Sequence, residues 1–175
     1  MDESQKRELR KRRSSLAAEA RAKQDRDIHG PRIVAALIPA VGSRVTLADF
    51  KPEFAPSVQV ESLRLKEASD WAEVSVSKER AAEIAACMDK HICSSEGAVG
   101  VLANQYLGFC KVQSISVKGM VDAAETIEDT VVFYPRNMRG AILVDCYRSP
   151  PGFPPFSLFV QGKDLALRFA ACFES

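Results

Sequence analysis

From Met1 to Ile28 the chain contains no glycine and no proline. Most of its residues there are strong helix formers, and opposite charges stand four apart at Glu3/Arg7, Glu8/Arg12 and Glu19/Lys23. Each such pair contributes about 0.2–0.5 kcal/mol to a helix, so the stretch reads as one uninterrupted helix. It cannot be a core helix. Its apolar stripe is thin, with Leu9 and Leu16 a heptad apart and small alanines at 17, 18, 20 and 22. Burial therefore holds it only if a partner covers it, and the free helix should fray.

The same stretch sets the charge plan. Residues 1–26 hold nine bases, Lys6, Arg7, Arg10, Lys11, Arg12, Arg13, Arg21, Lys23 and Arg26, against five acids, a net of +4. The whole chain has 24 bases and 23 acids, so the remaining 149 residues carry a net of −3. A near-neutral protein thus divides into a basic arm and a mildly acidic body. The four consecutive cations from Arg10 to Arg13 suit a polyanion, whose affinity grows with each counterion released. A solvated helical lead-in, or a helix that pairs with another protein or copy, fits the same composition.

His29-Gly30-Pro31 ends the arm, because glycine caps a helix and proline fixes a fresh start. The expected division is residues 1–28 as arm and 29–175 as a single globular α+β domain, which 175 residues at 46% hydrophobic content can support. Pro31 to Ala40 reads as a short buried helix, Arg44 to Ala48 as a strand, and Lys51 to Ser57 as an extended loop. Val58, Val60, Leu63 and Leu65 alternate with a slip in phase, as one bulged strand or two short ones would.

Ser77 is placed to cap a helix whose apolar face carries Ala81, Ile84, Ala85, Met88 and Ile92. Beyond a break at Ser94 to Gly97, the spacing of Val101, Leu102, Tyr106 and Phe109 suggests a second helix, giving a central helical pair. From Lys111 the period shifts towards two through Val112, Ile115 and Val117, and an acidic link follows with Asp122, Glu125, Glu128 and Asp129. The C-terminal half is antiparallel and strand-rich in this reading, with strands at Thr130–Tyr134, Gly140–Tyr147, Phe156–Val160 and Leu165–Phe173. Gln161 to Asp164 would be the turn of a hairpin joining the last two. Ser149-Pro-Pro-Gly-Phe-Pro-Pro155 is too stiff for sheet or helix and serves as a crossover or as a polyproline II surface for a partner.

Five cysteines with no repeating spacing, Cys87, Cys93, Cys110, Cys146 and Cys172, point to reduced and mostly buried thiols. No run reaches the roughly eighteen apolar residues of a membrane span, and the charged start lacks the apolar segment of a secretory signal. These features suggest a cytoplasmic protein without a membrane span. Two histidines, His29 and His91, restrict metal and nucleophile chemistry. Cys87 and His91 share a helical face and Cys93 is near, but structural zinc draws four ligands in paired short spacings. No metal site and no cofactor is assigned on this basis, and a thiol nucleophile at Cys93 or Cys110 has only His91 in its favour. The glycines match no phosphate-cradling loop, and the acidic link lacks the ligand order of a calcium loop. The expectation is a protein that is not an enzyme.

A second basic group, Arg136 and Arg139 beside Tyr134, with Arg148 beside Tyr147, combines cations with aromatic rings as single-strand binders do. Pairing of these arginines with the Asp122 to Asp129 carboxylates is the simpler reading and is favoured over phosphate contact. In organisation, a basic arm on a compact body with a strand-rich end resembles the coat and nucleocapsid proteins of small RNA viruses. The resemblance implies a structural, self-associating protein that binds single-stranded RNA without sequence preference, in the cytoplasm or in a virion. The other reading is a protein-interaction or matrix-like module that docks a partner through the arm or the 149–155 loop. A thiol-dependent enzyme is the third.

Overall fold

In the computed structural model, residues 3–51, 71–93, 100–135, 140–147, 150 and 152–174 are described. Among these residues four helices, α1 (Glu3–Val41), α2 (Lys78–Cys93), α3 (Val117–Ile127) and α4 (Lys163–Glu174), accompany six strands. The strands are β1 (Trp71–Val76), β2 (Gly100–Asn104), β3 (Gly108–Val112), β4 (Val131–Pro135), β5 (Ala141–Cys146) and β6 (Phe156–Gln161). They form one sheet in the order β1-β6-β5-β4-β2-β3, and every neighbouring pair is antiparallel. The fold is α+β, as the sequence suggested.

The helices lie against one face of this sheet. Alternate residues Leu158 and Val160 of β6, Ile142 and Val144 of β5, Val131 and Phe133 of β4 and Leu102 of β2 point into a core shared with Ile84 and Met88 of α2, Met120 and Val121 of α3, and Leu165 and Phe169 of α4. This is period-two alternation from the strands meeting period-3.6 stripes from the helices.

Helix α1 does not stop at His29-Gly30-Pro31; it continues through Pro31 and Pro39 to Val41. A proline inside a helix costs about 3 kcal/mol. Here Ile33, Leu37, Ala40 and Val41 are buried, and each large apolar side chain returns roughly 1.5–3 kcal/mol, so packing on the body overrides the local breaks. The main partner is α3. A Cβ added at Gly119 would stand 2.5 Å from the Ala40 Cα, so the two helix backbones touch where neither has a bulky side chain. The carbonyls that end α1 are satisfied by the same neighbour: Ser116 N donates to Ala40 O at 2.7 Å and the Ser114 hydroxyl to Val41 O at 2.7 Å.

Helix α2 begins after Ser77, whose hydroxyl accepts from Arg80 N, as its sequence promised. Its Asp89 then organises α3. The Asp89 carboxylate accepts from the Ser116 hydroxyl at 2.9 Å, from Val117 N at 2.6 Å and from Lys118 N at 3.2 Å, while Ser116 caps Gly119 N at 3.0 Å. An anion at the first turn satisfies orphan N–H groups and faces the positive end of the helix dipole. The period-two reading of Val112 to Val117 fails for this reason: β3 ends at Val112 and a capped helix starts at Val117. The acidic link is the exposed side and the end of that helix, closed by Glu128 in the left-handed conformation at φ 54°.

Four further expectations are corrected. The expected second helix of a helical pair is overturned: from Gly100 on, the described residues of that stretch form the hairpin β2–β3, because Gly108 has φ 81° and the Asn104 side chain accepts from Tyr106 N at 3.0 Å, which makes a turn. Leu165 to Phe173 is helix α4, not a strand. Leu165, Phe169 and Cys172 are fully buried while Leu167 is 70% exposed, so the i, i+4, i+7 stripe prevails over the alternation that coexists with it. Arg44 to Ala48 is an irregular segment running into a single 3-10 turn at Leu47–Asp49. The strands on either side of the Ser149 to Pro155 stretch, β5 and β6, are adjacent and antiparallel, so they are joined as a hairpin and not by a crossover; Ser149 and Pro151 themselves lie outside the described residues. Tyr147 N donates to Pro155 O at the base of that stretch. The strand predicted around Val58 to Leu65 falls outside the described residues.

Cys87 and Cys172 form a disulfide. The expectation of reduced thiols throughout is overturned there because α2 and α4 pack side by side and bring two Cα atoms, 85 residues apart in sequence, to 5.7 Å, a separation that suits a bridge. Cys110 and Cys146 are buried thiols, as expected.

Candidate nucleic-acid interface

The first half of α1 leaves the body. Glu3 to Asp25 spans about 35 Å at 1.5 Å per residue, and within it every described side chain is exposed, including Arg7, Arg12, Arg13, Arg21 and Lys23. Leu16 is 64% exposed, so the thin stripe finds no cover among the described residues. Local bonds are weak and solvent-facing: Arg12 pairs with Glu8 at 3.3 Å, both well exposed, and the Ser15 hydroxyl donates to Glu19 at 3.0 Å. Exposed pairs of this kind contribute about 0–1 kcal/mol. The arm therefore presents cations on a helix whose own stability is marginal. Lys6, Arg10 and Lys11 lie on the same helical stretch, their side chains outside the described residues.

Arg26 is different. Its guanidinium reaches back into the body and donates to Leu107 O at 3.2 Å, Leu47 O at 2.7 Å and Phe50 O at 2.7 Å. Leu107 closes the β2–β3 turn, while Leu47 and Phe50 flank the 3-10 turn. One cation thus ties the helix to two loops, using the fork geometry that only arginine has. Grouped by sequence with the phosphate-binding bases, it serves the fold instead. Nothing in the sequence separates it from Lys23 except that it stands nearer the apolar run, beginning at Ile33, that packs on the body. Arg136, Arg139 and Arg148 fall outside the described residues. Of the four acids in the link, two have these bonds among the described residues: Glu125 pairs with Lys78 at 2.8 Å, which raises the Lys78 pKa, and Asp129 accepts from Gln105 at 2.8 Å.

Sequence reasoning passed over the second face of the sheet. The pairings Glu73↔Phe159, Phe159↔Leu143, Leu143↔Val132, Val132↔Ala103 and Ala103↔Phe109 run straight across all six strands. Trp71, stacked on Phe159 at 5.7 Å, and Val101 and Tyr134, which pair with each other, extend it. Burial raises the Tyr134 pKa. Phe159, Leu143, Val132, Val101 and Phe109 are half-buried, and no described helix crosses this face. An antiparallel sheet with one wet face normally alternates apolar and polar residues; here both faces are largely apolar. Continuous runs such as Val101-Leu102-Ala103 and Ala141 to Val144 were the available signal.

The thiol chemistry considered from sequence gains nothing at Cys110. It lies on β3, and burial first, then the charge of Asp49, pushes its pKa up, the opposite of an activated thiolate. Burial does the same to Cys146. The side chain of Cys93 is outside the described residues. No described helix is long and apolar enough to cross a membrane.

No family model, no curated protein and no solved structure matches this chain.

Proposed function

We propose that this chain is a structural, self-associating RNA-binding protein of coat or nucleocapsid type that does no catalysis and binds single strands through its arm. The observation that carries the reading is the exposure of Arg7, Arg12, Arg13, Arg21 and Lys23 along a helix that projects from a folded body. Backbone phosphates are the ligand such cations suit, and they offer no base edge to read, so binding is blind to sequence. The apolar second face of the sheet supports self-association, because a surface of this kind is buried when copies meet. It also favours a second reading, an interaction module in which that face or the arm meets another protein.

The test is binding of a fluorescent single-stranded RNA to the full chain at several salt concentrations, with particle size recorded alongside. If Arg7, Arg12, Arg13, Arg21 and Lys23 all meet phosphate, these five add about −3.5 to the slope of log K against log salt, at roughly 0.7 per contact. A variant with all five replaced by Gln, which keeps Lys6, Arg10 and Lys11, should lose most of the affinity and about 3.5 of the slope. Negligible binding by the native chain, or an unchanged slope in the variant, refutes the RNA reading and leaves the interaction module.

A further inference from the structure

We propose that Cys87, Cys172 and His91 form a zinc site when their disulfide is reduced, so that one cluster exchanges a covalent bridge for a bound metal ion. The sulfurs of Cys87 and Cys172 and a ring nitrogen of His91 all lie within 4.8 Å of one another. Each ligand is delivered by a packed helix. Cys87 and His91 stand four apart on α2, hence on one face, and Cys172 comes from the buried side of α4. The His91 ring meets the Phe169 ring edge-on at 6.4 Å, and Phe169 is fully buried, so the imidazole is backed by the core. Burial falls outward through the cluster: Cys172 is buried, Cys87 half-buried and His91 exposed, which leaves a path for an ion from solvent.

The sequence alone offered Cys93 as the third ligand, and three residues in one short segment make a poor site. The tertiary structure substitutes Cys172, 85 residues away from Cys87, and converts an i, i+4 pair into a three-cornered set. Two thiolates and an imidazole are the donor set that zinc prefers, with a water to complete the tetrahedron. The chemistry balances in two steps. A dithiol gives the disulfide two electrons and two protons and closes to a disulfide itself, whereas a phosphine gives the two electrons, water gives the two protons, and the water oxygen ends on phosphorus as a phosphine oxide; either route leaves two thiols. Zinc then displaces both thiol protons to solvent and binds two thiolates and neutral His91. The bridge and the ion are mutually exclusive, because a disulfide sulfur carries no thiolate charge. Oxidising surroundings would favour the bridge and reducing ones the metal site.

The experiment uses the full chain, oxidised or reduced with an immobilised phosphine that is then removed, and titrates it anaerobically with Co2+ as a spectroscopic stand-in for Zn2+. The reduced protein should bind one equivalent, with thiolate-to-cobalt charge-transfer bands and intense tetrahedral d–d bands that Zn2+ abolishes. The oxidised protein should show neither. His91→Ala, at an exposed position, should keep the native circular dichroism and weaken Co2+ at least about tenfold, the scale of loss seen when even an outer-shell partner of a metal ligand is removed. Cys87→Ser should remove most of the charge-transfer intensity. No stoichiometric binding by the reduced chain, equal binding by the oxidised chain, or undiminished affinity in His91→Ala would each overturn the proposal. So would unfolding on reduction that Zn2+ does not reverse.

Discussion

Replacing Arg26 by Met separates structural from ligand-binding cations in α1. Met keeps an aliphatic stem of similar length and removes the guanidinium, so the change isolates three hydrogen bonds, to Leu47 O, Phe50 O and Leu107 O. A bond from a charged donor contributes roughly 1.5–3 kcal/mol, but Arg26 is only half-buried, and water can replace part of what is lost. We expect a net loss of about 2–3 kcal/mol, a large fraction of the 5–15 kcal/mol that holds a domain together. In urea, with a slope of about 1–3 kcal/mol per molar, the midpoint should fall by about 1–2 M while the slope stays constant. Arg26→Lys should recover less than half, because one ammonium cannot bridge three carbonyls held by two separate loops. The control is Arg21→Met, exposed on the same helix, which should shift the midpoint negligibly. If the stability of Arg26→Met matches the native value to within about 0.5 kcal/mol, the clamp reasoning is wrong. A drop in the salt slope of RNA binding that exceeds the drop in Arg21→Met would also count against it.

Other parts of the fold give further predictions. Asp89→Ala should destabilise the protein by about 2 kcal/mol, the upper range for a lost cap, since it uncaps α3 at Val117 and Lys118; a thermal midpoint within a degree of native would refute the capping role. Gly119→Ala improves helix propensity by up to about 1 kcal/mol, yet its Cβ would press on the Ala40 backbone at 2.5 Å, so a net loss of about 1–3 kcal/mol is expected from overpacking, and a stabilised variant would show that α1 and α3 are not in close contact. Asp49 accepts from both the backbone N–H and the hydroxyl of Thr46 at 2.7 Å, and the side-chain bond first, then the backbone bond, lower its pKa below the ordinary 3.8. A depressed carboxylate stabilises the fold above its unfolded value and loses that contribution as pH falls through the folded one. The Thr46 amide resonance should therefore titrate with a midpoint below 3.8, and a midpoint at or above that value would refute the bond.

Whatever depends on neighbours along the chain could be read before any contact was known. The helical character of Glu3 to Asp25 follows from helix formers without breakers, and its exposure follows from the lack of apolar residues to bury. Helix α2 follows from Ser77 and a stripe of five apolar residues, and β4, β5 and β6 follow from short apolar runs set between turns. The α+β class was legible from these alone. Tertiary structure decided every point at which one pattern satisfied two templates. Leu165 to Phe173 alternates and also repeats at helical spacing, and only the buried places for Leu165, Phe169 and Cys172 settle it. The stretch from Val101 to Phe109 fits a helix by spacing, but Gly108 at φ 81° turns it into a hairpin. Pro31 and Pro39 break a helix in isolation, and burial against α3 carries α1 through them. The same holds for the candidate sites. Five bases of the arm stay exposed for reasons visible in the sequence, whereas the diversion of Arg26 to three carbonyls, the cap that Asp89 lends to a different helix, and the meeting of Cys87 with Cys172 all join residues distant in sequence. Local sequence encodes propensity and charge; the choice of partner across 28 or 85 residues is made only when helices pack on a common sheet and bring those side chains within bonding distance.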